Sequence, residues 1–156
     1  MSGRRVEVVA VDDWAEQVGS GRRPRPSLVV LDLEPWVAHW RTGQVELDEA
    51  VTRLGAQWAD QHVHVVTNSV RRVSDGVLPA TWRQMRVARK PFTRLTAPAG
   101  AVVVGDQPLQ DGLLAWRLRA TFVRVDLPAD APWWARSVHR VFTPLSRLWL
   151  RPPSLP

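Results

Sequence analysis

The sequence predicts a single α/β domain: a mostly parallel central sheet with helices on both faces. Three observations carry this reading. Runs of consecutive apolar residues, such as Leu28-Val29-Val30-Leu31 and Ala101-Val102-Val103-Val104, suit strands buried on both faces. Segments of helical spacing lie between such runs, and strands joined by crossovers pair in parallel. At 156 residues, 45% hydrophobic, the chain is long and apolar enough for one core.

Taken in order, Val6 to Val11 reads as a short strand or extended entry, and Asp12 to Val18 as one or two helical turns. Gly19 to Pro26, rich in Gly, Arg and Pro, is a loop. Ser27 to Asp32 is an apolar run that ends on an acid. Val45 to Asp60 is spaced as a helix, with Val51, Leu54 and Trp58 on one face. His62 to Val66 is a strand ending at Thr67, Met85 to Ala88 one ending before Lys90, and Ala101 to Val104 one ending at Gly105-Asp106. Pro108 to Leu118 is helical and Thr121 to Val125 is a further strand. The domain spans 1–150, and 151–156 is a frayed tail.

Composition narrows the function. There is no cysteine, so disulfides, thiolate metal sites and cysteine nucleophiles are excluded. No apolar run approaches the roughly 18 residues of a membrane span, and no secretory apolar run follows the N-terminal residues, which fits a cytoplasmic protein. The net charge of +6 favours anionic partners. The arginines are scattered rather than clustered into a motif, so nucleic acid is not the favoured partner.

The chemistry-bearing residues fall at the carboxyl ends of predicted strands, where open α/β sheets bind ligands: Asp32, Thr67, Lys90 and Asp106. Lys90 is the one lysine among 21 basic residues. It offers a compact, mobile point charge where arginine offers a rigid planar fork. A carboxylate can attack phosphorus, carboxylates can hold a hard divalent ion, and a hydroxyl with an amine can hold phosphoryl oxygens. Together they make a phosphoryl-transfer set.

Leu31-Asp32-Leu33-Glu34, Val65-Val66-Thr67-Asn68-Ser69, Ala88-Arg89-Lys90-Pro91 and Val104-Gly105-Asp106-Gln107 with Asp111 resemble the four motifs of the haloacid-dehalogenase (HAD) superfamily. The nearest likeness is to its compact class IIIA, YqeG-like phosphatase branch, over about residues 6 to 150. The resemblance implies a Rossmann-like core without a large cap domain. It implies a magnesium-dependent phosphatase acting on a small phosphorylated substrate; some relatives act on a lipid phosphate, phosphatidylglycerophosphate. It also implies roles. Asp32 is the nucleophile and a Mg2+ ligand. Glu34 stands at the general acid/base position, with its carbonyl on the metal. Thr67 and Lys90 hold the phosphoryl group, with Asn68 beside them. Asp106 binds metal, with Asp111 as the second acid of that motif.

The first motif departs from the family pattern. Glu34 replaces aspartate, Pro35 replaces asparagine, and Trp36 stands where threonine is usual, a bulky ring expected at the substrate-pocket mouth. Gln110 replaces threonine in the fourth motif, and Phe92 to Gly100, broken by Pro98 and Gly100, is too short for the usual helix. Two alternatives therefore stand beside a working phosphatase. One is a weak or silent scaffold that binds a protein or anionic ligand. The other is a HAD-like enzyme turned to other chemistry in specialised metabolism.

His62 and His64 share a strand face but lack an evident third ligand, so they read as strand residues rather than a metal pair. His39 and His139 are isolated. Trp14, Trp40, Trp58 and Trp116 fit the core or its edge. Trp133 to Phe142, then Leu145 to Leu150, mixes aromatics with arginine. It reads as a helix packed on the sheet, interrupted by Pro144, with peripheral membrane contact as the alternative.

Overall fold

A computed structural model describes residues 6–68, 71–85 and 89–151. Ser69 and Ala88 of the quoted motifs, the end of the strand predicted at Met85 to Ala88, and residues 152–156 of the tail lie outside the described residues.

The chain forms β1 (Val6–Ala10), α1 (Val11–Gly19), β2 (Val29–Leu31), α2 (Gln44–Gln57), β3 (Val63–Val66), β4 (Trp82–Met85) and β5 (Val102–Gly105). A π-helical turn (Pro108–Gly112) leads into α3 (Leu113–Leu118), followed by β6 (Thr121–Arg124), α4 (Trp133–Ser146) and β7 (Leu150–Arg151). The seven strands form one sheet in the order β4-β3-β2-β5-β6-β1-β7. Every pairing is parallel.

The valine-rich runs become central strands because both of their faces are covered. Val29, Leu31, Val63, Val65, Val102 and Val104 point to the side of α1 and α2, where Trp14, Leu47 and Val51 meet them. Leu28, Val30, Val103 and Phe122 point the other way, onto Leu114 and Ala115 of α3. Each such side chain contributes about 1.5–3 kcal/mol by leaving water. On the first face Trp58 joins three rings: Trp14, Trp36 and Trp82 lie 5.8, 5.6 and 6.4 Å from it, centroid to centroid.

Several predicted elements shift. The strand predicted from Met85 begins earlier, at Trp82, because buried Trp82 sets its face while Arg83 stays in water; residues 86–88 of that prediction lie outside the described residues. Pro144 does not interrupt α4. It falls in the last turn, where the missing N–H costs one hydrogen bond, and the helix runs on to Ser146. Trp116, expected at the core edge, is exposed on α3. Arg151 does not belong to a tail: its backbone pairs with Glu7 in β7. From Phe92 to Gly100 no helix forms; Leu95 and Ala97 of that segment partly cover the second sheet face instead.

Chain order reverses between β2 and β5. From β2 the chain moves outward through β3 and β4, then returns to the other side of β2 with β5 and continues to β6. Outside the carboxyl ends of two such strands, the loops leave in opposite directions and open a crevice.

Candidate active site

Two acids stand at that crevice. Asp32 directly follows β2 and donates its backbone N–H to the Val104 carbonyl of β5 (2.9 Å). Asp106 directly follows β5. The π-helical turn after it brings in Asp111, and carboxylate oxygens of Asp32, Asp106 and Asp111 all lie within 4.8 Å of one another. Among the described residues this is the one cluster of three or more acids, histidines or cysteines close enough to share an ion. Neither His62 nor His64 takes part in such a group; His62 is exposed and His64 half-buried on β3.

Lys90 reaches the same point from the loop after β4. Its ammonium donates to Asp32 Oδ2 and to Asp111 Oδ1, the latter at 2.6 Å, with 1% of its side chain exposed. Burial disfavours its charge, but the carboxylates of Asp111 and Asp32 more than offset this and raise its pKa above the usual lysine value. An ammonium has three donors. Among the described residues, two are engaged here.

Three carboxylates around one ammonium leave two negative charges uncompensated when all are ionised. Burial, opposed by Lys90 and reinforced by Asp111, pushes the Asp32 carboxyl up to about 7. Burial together with Asp111 and Asp32 pushes Asp106 up to about 8. Asp32 Oδ1 and Asp106 Oδ2 are buried without a hydrogen-bond partner. Both oxygens of Asp111 are used: Oδ1 accepts from Lys90 and Oδ2 from the backbone N–H of Gln107 (3.1 Å). Hard oxygen donors carrying two excess charges, two of them unpartnered, fit a divalent cation.

The second motif supports the lysine. Thr67 is buried at the tip of β3. Asn68 accepts the Lys90 backbone N–H on Oδ1 (2.8 Å) and donates from Nδ2 to Gln110 Oε1 (2.7 Å). The glutamine that replaces threonine in the fourth motif thus has a structural partner. Asn68 and Gln110 brace a loop that is strained at Arg89, whose φ of +49° lies in the left-handed region.

The first motif is arranged differently from expectation. Glu34 Oε1 accepts from Arg71 Nη1 at 2.9 Å, and the same guanidinium bonds the carbonyls of His39 (3.0 Å) and Thr42. Glu34 remains close enough to Asp32 to raise its pKa. Trp36 is not brought to the acids as a pocket-mouth ring: it packs on Trp58 and the first core face, beside Leu54 of α2.

Two contacts had no visible signal in the sequence. Arg71 is one arginine of twenty, and it meets a residue 37 positions away. His139 of α4 hydrogen-bonds the Asp106 carbonyl through Nε2, across 33 positions. No family model, curated protein or solved structure matches this chain.

Proposed function

We propose that the protein is a magnesium-dependent phosphomonoesterase of the haloacid-dehalogenase type, working through an aspartyl-phosphate. The observation that carries this reading is the pair of unpartnered, buried oxygens on Asp32 and Asp106, beside a lysine that two of the three acids hold in place. Magnesium fits this hard donor set. Asp32 and Asp106 would hold it, together with the Glu34 carbonyl that the motif resemblance suggests, while Asp111 positions Lys90. The ion supplies charge neutralisation on the phosphoryl oxygens.

Each remaining role belongs to a residue of the chain. Asp32 attacks phosphorus through Oδ2, the oxygen beside Lys90, which leaves Oδ1 to hold the ion. The P–O bond to the leaving group breaks, and Glu34 transfers a proton to the departing oxygen. Glu34 then takes a proton from water, which attacks the acyl-phosphate phosphorus; inorganic phosphate leaves and Asp32 is regenerated. The Lys90 ammonium and the Thr67 hydroxyl hold phosphoryl oxygens.

The test is hydrolysis of an aryl phosphate with magnesium, by the wild-type chain and by Asp32→Asn. Turnover abolished by the substitution supports the reading, and equal rates in the two proteins overturn it. A second reading, a weak or silent anion-binding scaffold, draws support from the Glu34–Arg71 ion pair, which ties down the proton donor. That reading predicts no turnover in either protein and gains if calorimetry detects no magnesium binding.

A further inference from the structure

From Ala131 to Pro156 the chain has four arginines and no acidic residue. The sequence offers two readings of that stretch, a helix packed on the sheet or one in peripheral contact with a membrane, and only one side of α4 is covered. Ala135 and Ser146 are buried, and His139 faces the Asp106 carbonyl. On the flank, Trp134, Val141, Leu145 and Leu148 recur at spacings of seven, four and three, which aligns them along one stripe. Val141, Leu145 and Leu148 are freely exposed, Leu148 to 73%, while Trp134 is partly exposed with its ring edge-on to Trp40 at 5.8 Å. Next to Trp134, Trp133 is 74% exposed. Arg140 and Arg136 are also exposed, beside this stripe on the flank that carries Trp133.

We propose that this face of α4, with the turn after it, docks on the surface of an anionic lipid bilayer. The proposal does not depend on the phosphatase reading. An apolar stripe with tryptophan at its end and arginines flanking it matches the interfacial region of a membrane, where aliphatic groups reach acyl chains and guanidinium groups meet headgroup phosphates. Charge decides against a second copy of the chain. A twofold contact through this stripe would bring the arginines that flank it in one copy against those of the other, which repels. Charge alone would also admit nucleic acid, but Val141, Leu145 and Leu148 gain nothing against a phosphate backbone. Attachment is peripheral: α4 has 14 residues, and no helix among the described residues is long and apolar enough to cross a membrane.

The experiment is co-sedimentation of the full chain with vesicles of phosphatidylcholine alone and of phosphatidylcholine mixed with phosphatidylglycerol. The expected result is binding to the mixed vesicles only, weakening about tenfold or more as salt rises from about 0.05 to about 0.5 M. Leu145→Ser with Leu148→Ser weakens it about tenfold by removing the apolar part, and Arg136→Glu with Arg140→Glu does so by reversing the charge. All four positions are exposed, so thermal melts of both double variants stay near wild type. Asp32→Asn binds like wild type. The proposal is overturned by absence of binding to the mixed vesicles, or by binding that survives both double substitutions. It is equally overturned by a lipid-free dimer that the leucine substitutions dissolve while vesicle binding is absent.

Discussion

The carboxylate of Asp111 occupies the space that a β-carbon on Gly105 would fill. Gly105 ends β5, directly before Asp106, so the strand carrying one acid is shaped to admit another from the following turn. Asp111 cannot simply step aside, because Lys90 and the Gln107 N–H hold its two oxygens.

Gly105→Ala therefore displaces the Asp111 carboxylate and loosens Lys90. The expected cost is about 1–3 kcal/mol of stability, as for overpacking elsewhere, with weakened magnesium binding. Denaturant unfolding and calorimetry read the two effects. An alanine variant that matches wild type in both would mean the carboxylate has room that the structure denies it.

Lys90→Met leaves buried acids without their counter-charge. Removing one partner of a buried ion pair costs about 3–5 kcal/mol. The loss is expected to be largest near pH 8 and smaller near pH 5, where Asp32 and Asp106, raised to about 7 and about 8, hold protons. Urea unfolding at the two pH values checks this, and a loss of equal size at both contradicts it.

The pH dependence of the metal-free protein follows from the same two carboxyls. Both have folded pKa values above the roughly 3.9 of an unfolded aspartate. Between about pH 4 and 8 the folded state holds more protons than the unfolded one, so their stabilising contribution is complete at the acid end and is lost as pH rises. In chelator, the melting temperature should fall from about pH 5 to about pH 8.5. Magnesium should stabilise more at the alkaline end, because its binding expels protons. A melting temperature that rises with pH in chelator would refute the assignment of raised pKa values.

Glu34→Gln keeps an oxygen for Arg71 but cannot transfer a proton. Turnover is expected to fall about 10²–10⁴-fold, with a melting temperature close to wild type. Unchanged turnover would remove Glu34 from the reaction and leave it as an anchor for Arg71.

The fold was legible where one physical signal dominated. Val29 to Leu31, Val63 to Val66 and Val102 to Val104 could hardly be anything but doubly covered strands, and the acids after two of them marked the crevice. Trp82–Met85 was less legible because an edge strand mixes a buried tryptophan with exposed Arg83. The two residues of β7 are too short for any period to register. At the site, Asp32, Lys90 and Asp106 converge as their placement suggested, and Asp111, which only the motif resemblance pointed to, joins them. The Trp36 side chain went to its indole neighbours instead, since apolar burial against Trp58 outweighs a place at a polar rim. Arg71 and His139 could not be read, because nothing local distinguishes a cation or ring that will find its partner across the fold.

The place of β1 has a consequence for how the protein is made. It lies between β6 and β7, so the earliest strand of the sheet is hydrogen-bonded on both sides by the last two. A ribosome-bound chain must carry Val6–Ala10 unpaired until Thr121–Arg124 emerges more than a hundred residues later. During that interval the segment is a sticky edge open to other nascent chains, and closing the sheet is a late event in biosynthesis.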